Sequence, residues 1–205
     1  MHDDSMSMMI SPDYSVDYWQ KLQLDPDNPD ENEWTKAANV LQNRIQKRFL
    51  EPADALIVAD APNSRGTFGF AILALDFIVI ETIQGFREGR TGNSQDQSVR
   101  FMKRWDEFLA CLDDRTQWKS KAENLYAQGR CALHHRGSTD KIVVRRGERY
   151  PMLKFNDDGR IQINRTKFHR SLSDAFGRYI DELKQPESVS LRRCFKQKMD
   201  AICAD

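Results

Sequence analysis

Residues 68–87, FGFAILALDFIVIETIQGFR, are apolar on nearly every side of a helical projection. A helix with no solvent face belongs at the centre of a bundle. A buried strand is the rival reading of its apolar half, but a pattern sustained over some twenty residues favours helix. Glu81, Gln84 and Glu88 fall on one polar stripe. Asp76 lies off that stripe and is expected to be buried. A buried carboxylate needs a partner, and an Arg elsewhere in the bundle is the expected one.

Working outward, two helices are expected on the C-terminal side. Residues 97–113 carry Val99, Met102, Trp105, Leu109 and Leu112 inward. Residues 118–134 carry Trp118, Ala122, Leu125 and Tyr126 toward the core. On the N-terminal side, Asp30 stands three residues before Glu33, the spacing of a capping box. It opens a helix with Trp34, Ala38, Leu41, Ile45 and Phe49 at helical spacing, ended by Pro52. Residues 1–30 read as an extension.

At about residues 141–164 the period changes. Ile142, Val143 and Val144 are β-branched, and Asn156-Asp157-Asp158-Gly159 between two short runs signals a hairpin. A last core helix follows, with Phe168, Leu172, Phe176 and Ile180 inward and Pro186 beyond it. His169 reads as a surface residue of that helix. Residues 186–205 form a short basic amphipathic tail carrying Arg192, Arg193, Lys196 and Lys198. The expected fold is mainly α: a four- to five-helix up-and-down bundle over residues 31–185, with a small β-hairpin insertion.

Composition narrows the function classes. Lys plus Arg number 31 and so do Asp plus Glu, so a nucleic-acid surface must be local, since proteins that coat duplex DNA are more basic. Cysteines at 111, 131, 194 and 203 include no Cys-x-x-Cys pair and read as reduced thiols. No Cys/His spacing suggests zinc, and no metal or cofactor is expected. The N-terminus has no basic start or apolar core, so it is not read as a signal peptide. The apolar run 68–80, broken by Asp76, is too short to span a bilayer. No membrane association is expected, and a cytoplasmic protein is. Phosphate-binding glycine loops and a Gly-x-Ser-x-Gly elbow are both lacking.

Gly129–Gly137, GRCALHHRG, holds the candidate chemistry. On a continuous helix Arg130 and His134 share a face at i, i+4. His135 lies about 140° away, at about 100° per residue. Helical geometry nominates His134, and His135 becomes the better candidate if the helix breaks near Leu133. Arg and His near a helix C-terminus also serve the dipole and the last carbonyls. RNA cleavage needs an imidazole to move the 2′-OH proton and a guanidinium to meet the charged phosphorane, with no metal. Glu81 is placed to orient Arg130 or His135, or to remain on a solvated stripe. Arg136, Lys141, Arg145, Arg146 and Arg149 cluster past the motif, either guiding an RNA backbone or blocking strand pairing at an edge. Tyr150 and Phe155 offer rings for base stacking or for the hairpin's packed face.

The Arg-x4-His pattern, with RCALHH around it and ALDFIVIETIQGFREG as a long central helix, resembles the HEPN family of α-helical ribonucleases. The resemblance covers about residues 31–185, with the hairpin as an insertion. It implies a helical bundle that dimerises, with Arg130 and His135 as the catalytic pair facing a shared cleft. It implies a metal-independent endoribonuclease, with toxin or phage-defence roles and an antitoxin or defence partner. Cys131 departs from the polar residue usual after the motif's Arg. Some relatives only bind, so the alternative is a non-catalytic module for a protein partner, RNA or a nucleotide.

Overall fold

The computed structural model describes residues 8–60, 66–90, 92–131, 133 and 140–204. The fold is mainly α, with a small three-stranded mixed sheet. Among the described residues the helices are α1 (Val16–Gln20), α2 (Glu31–Ile45), α3 (Glu51–Ala59), α4 (Gly69–Glu88), α5 (Ser94–Arg104), α6 (Asp106–Leu109), α7 (Trp118–Leu125), α8 (Arg165–Lys184) and α9 (Val189–Ala204). That is more helices than the four or five expected, because the helix expected over 97–113 is divided, the one expected to stop at Pro52 runs on into α3, and α1 and α9 lie outside the bounds expected for the bundle.

The division points have local causes. The helix expected to stop at Pro52 instead passes through a π-helical turn, Gln46–Leu50, into α3. Pro52 stands in the first turn of α3, where its missing N–H costs nothing. The helix expected over 97–113 breaks at Trp105, whose backbone is extended. The Trp105 ring is buried and its Nε1 donates to Ser171 Oγ at 3.1 Å.

Within the described residues the chain forms two compact units: Met1–Arg48, Gly85–Thr91 and Gly177–Asp205 in one, Phe49–Gln84 and Gly92–Phe176 in the other. In the first unit, Asp30 caps α2 through the amides of Asn32 and Glu33, as its spacing predicts. Trp19, Trp34 and Phe86 gather around Phe195 of α9. Arg192, read from sequence as part of a surface tail, is fully buried. It donates to the carbonyls of Leu183 and Lys184 and to Glu31, beneath the Trp34 ring.

The second unit holds most of α4, as the apolar stretch predicts. By length and composition α4 could cross a membrane, although the run 68–80 alone could not, but most of it is buried in the fold. Gln84, expected on a polar stripe, is buried as well. Phe168 of α8 packs against Phe77 of α4 and Trp105.

The expected hairpin is present as β2 (Leu153–Phe155) and β3 (Ile161–Asn164), joined through the Asn156–Gly159 turn. Gly159 takes φ +79°, which a side chain would disfavour. A further strand, β1 (Ile142–Arg145), pairs in parallel with β3, giving the order β1-β3-β2. Ile142, Leu153, Ile161 and Ile163 are buried, the alternation of a sheet with one packed face. At the end of β3, Asn164 Nδ2 donates to the carbonyls of Gly147 and Tyr150, so the strand-to-helix junction holds the β1–β2 connection.

Candidate functional site

Arg130 sits where α7 changes its winding. After Leu125 the chain continues as a π-helical turn, Tyr126–Cys131. Within this turn Gly129 is buried against the Phe77 ring of α4. A Cβ there would collide with Phe77 Cζ, so only glycine allows this approach. Glu81 stands four residues beyond Phe77 on α4, one turn along the same face. Arg130, next to Gly129, is thereby delivered to it. Nε donates to Glu81 Oε1 at 2.7 Å and Nη2 to Oε2 at 3.3 Å, a two-point fork. The two side chains are 21% and 15% exposed, so the pair stands at the edge of solvent.

Burial alone would lower the Arg130 pKa, but the Glu81 hydrogen bond and charge outweigh it and raise the value. The guanidinium is therefore a permanent cation. The fork occupies Nε and Nη2 and leaves Nη1 outside it. Tyr126 lies in the same electrostatic neighbourhood, and burial pushes its phenol up.

His134, His135 and Arg136 lie outside the described residues. Arg130 itself is inside a turn whose hydrogen bonds close one residue later than in an α-helix. Of the remaining basic residues, Lys141 and Arg145 are exposed beside and on β1. Arg145 Nε donates to Gln162 at 3.3 Å. Arg146 turns to Asp60, with Nη1 3.3 Å from its carbonyl. Arg149 donates to Tyr150 Oη, and the guanidiniums of Arg145 and Arg149 both lie over that ring. Phe155 meets Phe108 edge-on, on the packed side of the hairpin.

Two buried ionic groups lie apart from this pair, and one of them departs from the sequence reading. Asp76 is buried as expected, but its partner is His169, not an Arg: His169 Nδ1 lies 2.7 Å from Asp76 Oδ1. His169, expected on the surface, is 1% exposed. Burial pushes Asp76 up to about 6 against the pull of His169. Asp76 Oδ2 has no hydrogen-bond partner among the described residues. Burial opposes a charged His169, but Asp76 and then Asp54 outweigh it and raise its pKa. His169 Nε2 is 3.3 Å from Asp54 Oδ1, without hydrogen-bond geometry.

The second group joins α3 to α8. Asp60 Oδ2 accepts from Arg165 Nη2 at 2.6 Å, and Oδ1 accepts from the Thr67 amide at 3.1 Å. Among the described residues, no group of three or more His, Cys, Asp and Glu side chains is arranged to hold a metal ion. No protein-family model, curated protein or solved structure matches the chain.

Proposed function

We propose that the chain is a metal-independent endoribonuclease of HEPN type, cytoplasmic and acting as a homodimer in a toxin or phage-defence setting with an antitoxin or defence-system partner. The supporting observation is Arg130, a cation fixed in direction by Glu81 at the edge of solvent and followed in the chain by two histidines. In this reading His135 takes the proton from a ribose 2′-OH as that oxygen attacks the adjacent phosphorus. Arg130 meets the non-bridging oxygens as charge builds on the phosphorane. The 5′-oxygen leaves with the proton returned by the His135 imidazolium, and a 2′,3′-cyclic phosphate remains. Holding the guanidinium in advance spares its reorganisation in the transition state. Arg136, Lys141, Arg145 and Arg146 guide the RNA backbone.

The test is RNA cleavage in EDTA by the purified chain and by the Arg130→Ala/His135→Ala double variant. Cleavage by the wild type alone, leaving cyclic phosphate ends, is expected. Equal cleavage by both, or none by either, removes the proposal. The same fork also favours a second reading, a non-catalytic helical module in which Glu81 and Arg130 only join two helices. Under that reading the double variant loses stability while the wild type shows no cleavage.

A further inference from the structure

A cavity of about 630 Å³ shares no lining residue with the Arg130–Glu81 pair, although Arg146 and Arg149 of the basic cluster line it. Its walls include Ile57, Val58, Asp60, Arg146, Arg149 and Arg165. That volume lies within the range of small-molecule sites, roughly 300–1,000 Å³.

Its polar side is built for negative charge. Three guanidiniums and two carboxylates line it: Asp60 is shared by Arg165 at 2.6 Å and Arg146 at 3.7 Å, and Glu148 meets Lys167 at 3.4 Å, which leaves the wall with one more guanidinium than carboxylates. Arg165 is 3% exposed, and its Nη1 has no hydrogen-bond partner among the described residues. A buried N–H without an acceptor is costly and uncommon. Arg165 and Thr166 also form the first turn of the 20-residue helix α8 at the cavity wall. Amides there have no intrahelical acceptor and carry the positive end of the helix dipole. Ile57 and Val58 supply the apolar part of the lining, and Val58 is 81% exposed, an unusual position for a valine unless something covers it.

We infer that this cavity binds a small molecule bearing a phosphate or carboxylate on an apolar body. The oxyanion supplies the acceptor that Arg165 Nη1 lacks and meets the opening turn of α8. The apolar body lies on Ile57 and Val58. Arg146 and Arg149 add charge at the same wall.

Calorimetric titration of the full chain tests this, with phenyl phosphate and benzoate as probes and inorganic phosphate and benzyl alcohol as references. At least one aromatic oxyanion is expected to bind with a Kd at least tenfold below both references. The preferred one identifies the oxyanion. Val58→Asp and Arg149→Ala alter exposed side chains and leave the Asp60–Arg165 pair in place. Each is expected to weaken binding, Val58→Asp by at least tenfold, with unchanged circular dichroism. Absence of binding by both aromatic probes, inorganic phosphate binding as tightly as they do, or full binding by both variants would overturn the inference.

Discussion

Asp76 and His169 are 93 residues apart in the chain and 2.7 Å apart in space, each sealed from solvent. Both pKa values are raised in the folded state, Asp76 by burial and His169 by its carboxylate neighbours against burial. A group with a raised folded pKa stabilises fully below its unfolded value and loses that contribution as pH rises through the folded value. For Asp76 the window runs from its ordinary 3.8 to about 6, and for His169 it opens at 6.5. Wild type is therefore expected to lose stability relative to Asp76→Asn as pH climbs from 4 to 7. Urea midpoints of the two proteins across that range check it; parallel curves would contradict the assignment.

Arg130 and Glu81 can be exchanged. Each single charge reversal, Glu81→Arg or Arg130→Glu, is expected to destabilise the protein. The double reversal should recover about 1 kcal/mol, the scale of a partly exposed ion pair. RNA cleavage should stay lost in the double variant, because the cation has moved from the π-helical turn to α4. Recovery of cleavage would mean that the position of Arg130 is not what the chemistry uses.

Gly129→Ala must displace the Phe77 ring and is expected to cost about 1–3 kcal/mol, as overpacked sites do. Gly177→Ala has open space around the new carbon and lies within α8. It should stabilise by about 0.5–1 kcal/mol. Thermal or urea unfolding of the pair reads both signs.

Arg192 and Arg193 are neighbours with opposite surroundings. Arg192→Ala leaves two carbonyls and Glu31 without their donor, a loss of about 3 kcal/mol. Arg193 meets Asp27 in an exposed pair, so Arg193→Ala should change little that unfolding can detect.

What sequence reasoning captures follows the range of each signal. The central helix, the Asn156–Gly159 turn, the Asp30 cap and the inward face of α8 are local patterns, and each is present. The division at Trp105 is met by a bond from Ser171, and the wide turn after Leu125 lies against Phe77, both far off in the sequence, so neither has a nearby signal. His169 had one: it stands three residues before Leu172 and seven before Phe176, on the inward face of its helix. Asp76 was already in need of a buried partner. The fork between Glu81 and Arg130 was legible only as one of two possibilities, because a polar stripe on α4 carries no record of what approaches it.

The winding of residues 126–131 makes one place in this helix tolerant of a change in chain length. A π-helical turn accommodates one residue more than the regular spiral requires. Loss of one amino acid there is absorbed where it falls, because the helix regains regular winding with its flanks close to their present phase. The same loss within the regular part of α7 would instead turn Arg130 about 100° away from Glu81.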